Sequence, residues 1–217
     1  MKLSRVHFPV TTLGPGNRLG IWFQGCSIRC PGCISADTWG PGKHAIELQT
    51  LLADLAPWLE QADGITISGG EPFDQPDALL ALLAGLRRRT GVDILVYSGH
   101  ARERLEPWLA QADGLIDALI CDPFEQQQPQ TLVLRGSDNQ RLILLSELGR
   151  QRFAGYERPL NASDRALDLM FDDDGSIWMA GIPGRDDVLR LRDLLQSQGH
   201  QLQTSAHTSR RRLPELP

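Results

Sequence analysis

The apolar positions of this chain change period several times, and each change marks an element. Residues 5–10 form a short β-rich run that ends in the dense turn signal Thr11-Thr12-Leu13-Gly14-Pro15-Gly16-Asn17. Residues 21–24 predict a second short strand. Between 45 and 60, Leu48, Leu51, Leu52, Leu55 and Leu59 fall at helical spacing with one buried face. A strand over 64–68 stops abruptly at Gly69-Gly70-Glu71-Pro72, and a Leu- and Ala-rich helix follows over 76–90. That helix closes on Arg87-Arg88-Arg89, where positive charge suits the C-terminal dipole. A strand over 92–97 runs into Ser98-Gly99-His100. After a helix over 102–112, a strand over 115–120 ends in Cys121-Asp122-Pro123. Strands alternating with helices of this length predict an α/β fold of parallel βαβ units, in an open sheet or a barrel.

Beyond Phe124 the pattern loosens. Gln126-Gln127-Gln128-Pro129-Gln130 reads as a polar loop, and 131–134 predicts one more strand before Arg135-Gly136-Ser137-Asp138-Asn139-Gln140-Arg141. Residues 166–171 and 176–179 flank Asp172-Asp173-Asp174-Gly175, a solvated hairpin turn with Gly175 supplying positive φ. An amphipathic helix over 185–199 uses Val188, Leu191, Leu194 and Leu195. The chain divides into a core over 1–154, a hairpin–helix extension over 155–200 and a flexible basic tail over 201–217.

Composition narrows the class. Apolar residues make up 41 % and charged residues 23 %, an ordinary globular balance, and 217 residues suffice for one well-filled α/β domain with an appendage. A net charge of −5 argues against broad nucleic-acid binding, the basic run Arg210-Arg211-Arg212 lying in a Pro-containing tail. No apolar stretch reaches membrane-spanning length, and the N-terminus lacks the apolar run of a signal peptide. Four cysteines do not make a secreted disulfide framework, so a reducing, cytoplasmic location is expected.

The polar motifs share a placement. The cysteine-rich stretch after residue 24, Ser68-Gly69-Gly70-Glu71, Tyr97-Ser98-Gly99-His100 and Cys121-Asp122-Pro123 each stand at the C-terminal end of an expected strand. In parallel α/β folds that edge carries the active site. Gly69-Gly70 serves either as a tight strand-to-helix turn or as bare backbone open to a ligand, with the Glu71 carboxylate suited to an amino-acid ammonium. Ser98 is read as a turn former or a ligand contact. Cys121 is read as a packed residue rather than a metal ligand. No nucleophile accompanies His100 in a readable triad, and the five tryptophans are read as packing.

Cys26, Cys30 and Cys33 lie within eight residues on a Gly- and Pro-containing loop. An odd trio cannot pair off as disulfides, and the spacing is not that of a four-ligand zinc site. Clustered thiolates favour zinc, copper(I) or iron–sulfur, and three ligands fit a cubane whose fourth iron is open.

Cys26-x3-Cys30-x2-Cys33 followed by Gly69-Gly70-Glu71 resembles the signature of the radical S-adenosylmethionine (SAM) superfamily. Within it, the chain is most similar to the small activating enzymes of glycyl-radical proteins, of the anaerobic ribonucleotide reductase activating type. Gly14-Pro15-Gly16-Asn17-Arg18, Thr38-Trp39, Tyr97-Ser98-Gly99 and Arg135-Gly136-Ser137-x-Asn139-Gln140-Arg141 extend the likeness from about residue 5 to residue 142. The resemblance implies a partial (β/α) barrel of parallel strands, here with the C-terminal β-hairpin and helix appended. It implies a [4Fe–4S] cluster on Cys26, Cys30 and Cys33 and SAM held by Gly69, Gly70, Glu71 and Ser98. The implied activity is an oxidoreductase reaction, reductive SAM cleavage to a 5′-deoxyadenosyl radical. The implied partners are a protein or peptide substrate and an external electron donor such as flavodoxin or ferredoxin, with no nucleic acid and no membrane.

The chain departs from that group where Ile34 and Ser35 replace an aromatic residue and Asn, and where Cys121-Asp122-Pro123-Phe124 stands for Asp-Gly-Pro-Phe. Three functions follow as expectations: activation of a glycyl-radical partner, radical modification of a peptide or small molecule, and a non-catalytic iron–sulfur or zinc module.

Overall fold

Four strands carry almost unbroken apolar runs, and the fold follows from burying them on both faces. In the computed structural model, which describes residues 1–42, 44–164, 167–171, 173 and 177–200, these are β2 (Arg18–Phe23), β3 (Gly64–Gly69), β4 (Asp93–Tyr97) and β5 (Ala118–Cys121). They pair in parallel, in sequence order. β1 (Leu3–Val10) adds antiparallel to β2, and β6 (Arg141–Leu144) adds antiparallel to β5. The result is one open, mixed six-stranded sheet of order β1-β2-β3-β4-β5-β6. The all-parallel arrangement is thus corrected at both edges, and among the described residues β1 and β6 do not pair.

The connections between parallel strands are helical: α1 (Leu48–Asp54) with α2 (Ala56–Leu59), α3 (Pro76–Arg87), and α4 (Arg102–Gln111). Leu51, Leu52, Leu55, Leu79, Leu82, Leu83 and Leu86 form the core against Leu19, Ile21, Phe23, Ile65, Ile67, Ile94 and Val96. On the opposite face Leu95, Ala118 and Ile120 meet Val133, Leu134 and Phe153, the last from α5 (Glu147–Phe153). Burying each such side chain contributes about 1.5–3 kcal/mol. A charged knot sets the N-terminal ends of β2 and β4. Arg18 and Asp93, both fully buried, pair at 2.6 Å, Arg18 also reaches Thr66 at 2.6 Å, and Arg152 of α5 caps Asp93 at 2.9 Å.

β6 and α5 are absent from the sequence expectation, whereas the strand expected over 131–134 does not form. The amides of Thr131 and Leu132 are spent on the Asp138 carboxylate, and Leu134 takes a positive φ of 62°. A single bridge, Leu132 to Pro159, is what remains.

The C-terminal hairpin is present: β7 (Leu167–Phe171) pairs antiparallel with β8 (Ile177–Gly181). Met170 and Ala180 pack on Val10, Leu13 and Trp22, and Trp178 stacks edge-on against Trp22 at 4.5 Å. Asp168 holds both hydroxyls and both amides of Thr11 and Thr12 at 2.7–3.2 Å. α6 (Asp187–Ser197) follows with the expected period, yet it buries no residue fully and leaves Leu194 55 % exposed. The Gly175 turn and the 201–217 tail lie outside the described residues. Among those residues no helix is long and apolar enough to cross a membrane.

Candidate functional site

The cysteine loop leaves the C-terminal end of β2 and returns through a 3-10 turn, Ala36–Trp39. Its neck is closed by backbone. Gly25 N–H donates to the Thr38 carbonyl at 2.7 Å and Cys26 N–H to the Trp39 carbonyl at 3.4 Å. Gln24 Nε2 donates to the Gly40 carbonyl at 2.9 Å. Gly25 (φ 101°), Arg29 (φ 53°) and Gly32 (φ 77°) take left-handed conformations that fold the loop back on itself. Cys26, Cys30 and Cys33 are free thiols, each half-buried.

The sulfurs face hydrogen-bond donors. Arg29 N–H approaches Cys26 Sγ at 3.5 Å. Burial pushes the Cys30 thiol up, against the pull of the Phe124 backbone N–H. Burial likewise pushes up Cys33, opposed first by the Ser35 backbone N–H. Thiols desolvated yet ringed by amide donors suit thiolate ligands, since iron displaces the proton and the N–H groups stabilise the charge on sulfur. Among the described residues no three His, Cys, Asp or Glu side chains are placed to hold a single metal ion. A cubane asks for a different arrangement, with each thiolate on its own iron.

The turn after β3 is locked onto this loop. Gly70 N–H donates to the Phe23 carbonyl and Glu71 N–H to the Gly25 carbonyl, both at 2.8 Å. Gly69 sits at φ 111°, and a Cβ on Gly70 would stand 2.1 Å from the Gly25 oxygen, so the close approach needs glycine there. Glu71 is 1 % exposed. Its Oε1 accepts from Phe73 N–H at 3.0 Å and from the Ser98 hydroxyl at 2.9 Å, and its Oε2 accepts from Gly99 N–H at 2.8 Å. Burial raises its carboxyl from the ordinary 4.5 to about 7, against those three hydrogen bonds. Ser98 is therefore a bridge: its hydroxyl donates to Glu71 and accepts from His100 N–H at 3.0 Å. Ile28 of the cysteine loop packs over Gly99. The ends of β2, β3 and β4 thus converge, bringing the three cysteines, Gly69, Gly70, Glu71 and Ser98 to one edge.

Cys121 ends β5 fully buried, with Sγ 3.6 Å from Asp122 Oδ2. Burial, then the Asp122 charge, pushes its thiol up to about 11.

Asp74 escaped the sequence reading, and the Arg135–Arg141 segment entered it only through the family resemblance, with no structural role. Asp74 accepts from Ser27 N–H at 2.6 Å and from its hydroxyl at 2.8 Å, and lies 3.7 Å from His100 Nε2. An aspartate just past a turn carries no pattern of its own. Burial, and after it the Arg104 charge, lowers His100. The Arg135–Arg141 segment acts as a clamp on the chain beside Cys30. Asn139 donates to the Pro123 carbonyl at 2.8 Å, Gln140 to the Asp122 carbonyl at 3.2 Å, and Ser137 Oγ accepts from Glu125 N–H at 3.0 Å. Those bonds hold Phe124, whose backbone N–H favours the ionised form of Cys30 against its burial.

A family profile described as a 4Fe-4S single cluster domain matches residues 12–143. The anaerobic ribonucleoside-triphosphate reductase-activating protein of Escherichia coli (strain K12) is 34 % identical over 145 residues, which cover 62 % of this chain and 93 % of that protein. The protein of the same name from Vibrio cholerae is 30 % identical over 144 residues, covering 62 % and 92 %. That from Enterobacteria phage T4 is 29 % identical over 136 residues, covering 59 % and 85 %. The matched span contains the cysteine loop, the Gly-Gly-Glu turn, Ser98 and the Arg135–Arg141 clamp; β7, β8 and α6 lie beyond it.

Proposed function

The chain belongs to the 4Fe-4S single cluster domain family, and from that premise we propose that it is a radical SAM enzyme that activates a glycyl-radical partner protein. The observation that carries the reading is the backbone lock between the cysteine loop and the Gly69-Gly70-Glu71 turn. It sets three candidate iron ligands beside a buried carboxylate and exposed backbone groups. Cys26, Cys30 and Cys33 would hold the cluster. When bound, the cluster supplies one electron to the SAM sulfonium, which releases methionine and a 5′-deoxyadenosyl radical able to take a hydrogen atom from a glycine.

The chain's own residues bind and orient. Glu71 has three of its roughly four acceptor sites filled by Phe73, Ser98 and Gly99, leaving capacity for an ammonium. A cation beside it would return the carboxyl to its ionised form. Gly69 and Gly70 offer backbone without side-chain obstruction, and Ser98 fixes the rotamer of Glu71. An external one-electron donor, of the flavodoxin or ferredoxin kind, would reduce the cluster. The names of the relatives in Escherichia coli and phage T4 support a ribonucleoside-triphosphate reductase as the partner.

A second reading, modification of a different peptide or a small molecule, is favoured by one observation. The hairpin packs its Met170 and Trp178 against β1 and β2, and it lies outside the matched span.

Anaerobic reconstitution tests both. About four irons per chain are expected, together with methionine and 5′-deoxyadenosine on addition of reductant and SAM. A glycyl-radical electron paramagnetic resonance (EPR) signal on an added ribonucleoside-triphosphate reductase selects the first reading. SAM cleavage with no such signal selects the second, and a loaded cluster that never cleaves SAM overturns both.

A further inference from the structure

The Arg135–Arg141 segment spends most of its polar groups on the chain around it. Ser137 Oγ accepts from Glu125 N–H, and the Asp138 carboxylate accepts from the amides of Thr131 and Leu132. Gln140 Oε1 accepts from the amides of Gly136 and Ser137 while its Nε2 donates to the Asp122 carbonyl, and Arg141 pairs with Asp122 and Glu103. Two side chains keep unspent groups. Arg135 is 1 % exposed, and its Nη2 donates to Glu157 at 2.5 Å. Its Nε and Nη1 are buried with no hydrogen-bond partner among the described residues. Asn139 Nδ2 donates to the Pro123 carbonyl, which sets the orientation of the amide, and Oδ1 is buried and likewise without a partner there. Buried polar groups are paired in nearly every case. Open donors and an open acceptor on one short segment therefore call for a ligand.

The segment stands at the site edge. Tyr97, whose hydroxyl donates to the Leu134 carbonyl at 3.2 Å, directly precedes Ser98, and Asp122 and Pro123 directly follow β5. The open groups define a ligand class. Glu157 already balances the Arg135 charge, so the guanidinium lacks acceptors rather than an anion, and an incoming carboxylate would meet Glu157. A peptide group supplies both kinds of partner, a carbonyl acceptor and an N–H donor. Glycine presents them with no side chain in the way.

We propose that Arg135 and Asn139 form a peptide-binding subsite that holds the backbone of the partner segment carrying the target glycine. Arg135 Nε and Nη1 donate to carbonyl oxygens of that segment, and Asn139 Oδ1 accepts from one of its amides. Such a grip reads main chain and fixes where the glycine Cα lies, which a hydrogen-atom transfer requires. The inference rests on the glycyl-radical reading above and names the residues that position its substrate.

Arg135→Lys keeps a positive charge for Glu157 and removes the planar set of donors. Wild type and variant are reconstituted anaerobically and given reductant, SAM and a ribonucleoside-triphosphate reductase. Glycyl radical is counted by EPR, 5′-deoxyadenosine by chromatography, and SAM affinity by equilibrium binding. The variant is expected to form about tenfold fewer glycyl radicals per SAM cleaved, with a raised KM for the reductase. An unchanged ratio and KM overturn the inference. So does an unchanged ratio with weakened SAM binding, which assigns the segment to SAM instead. Wild type that cleaves SAM but makes no glycyl radical overturns the underlying reading as well.

Should Arg135→Lys not fold, wild type decides alone. A synthetic peptide spanning the target glycine is expected to compete with the reductase, and replacing an amide beside that glycine by an ester to weaken competition about tenfold. Equal competition by amide and ester peptides, or none by either, overturns the subsite.

Discussion

Glu71 is a carboxylate placed where charge is disfavoured. Its proton is bound more tightly in the folded chain, at about 7, than at its ordinary value of 4.5. Between those values the folded state holds a proton that the unfolded state has lost, so stability falls as pH rises. Glu71's contribution is complete below about pH 4.5 and is lost as pH passes through about 7. The expected outcome is a difference in unfolding free energy, cluster-free wild type minus Glu71→Gln, that decreases from pH 4.5 to pH 7.5. Chemical denaturation at a series of pH values measures it, and a flat difference would show that Glu71 titrates normally. The same residue illustrates a double duty. It joins the ends of β3 and β4 through Ser98 and Gly99, and in the proposed function its remaining acceptor capacity would take the SAM ammonium.

The cysteine loop, as an element, is held from three sides. Its neck is backbone, its far wall is the Gly69-Gly70 turn, and its first residues hang on Asp74 through Ser27. Asp74→Ala removes the last support without touching a thiol. Outer-shell partners of metal ligands are worth about 10–100-fold in metal affinity. The variant should load iron yet surrender it to a chelator about tenfold faster than wild type; equal release rates would mean that Asp74 serves His100 rather than the loop. The Arg135–Arg141 clamp supports the Cys30 side in the same manner, through Asn139, Gln140 and the Phe124 amide.

Across the whole molecule, stability is distributed unevenly. The strands β2 to β5 are buried on both faces and pinned by the Arg18–Asp93–Arg152 knot, whereas the hairpin is attached by a small apolar patch and by Asp168. Asp168→Ala removes four hydrogen bonds to Thr11 and Thr12. Even one hydrogen bond to a charged group contributes about 1.5–3 kcal/mol, so local opening of β7 and β8 should become at least about tenfold easier. Hydrogen exchange would register faster amides in the hairpin and unchanged protection in β2 to β5. A uniform loss of protection would mean instead that hairpin and sheet unfold as one unit.

Much of this was written in local pattern. The cysteine spacing, the Gly-Gly-Glu stop after an apolar strand and the alternation of strand and helix depend on residues close in the chain, where composition and period speak directly. From them came the α/β class and the edge on which the motifs gather, and the resemblance they carry added the iron–sulfur expectation. Pairing direction at the sheet edges was not legible, because a four-residue strand such as Arg141–Leu144 looks alike in either orientation. Nor was the failure of residues 131–134 to join the sheet, which follows from Asp138 claiming two amides. Tertiary structure alone decided that Glu71 is buried and shared with Ser98 and Gly99, and that Asp74 holds the cysteine loop. The physical reason is the same in each case. Desolvation and hydrogen-bond partnership are properties of what surrounds a side chain, and those surroundings come from segments far apart in sequence.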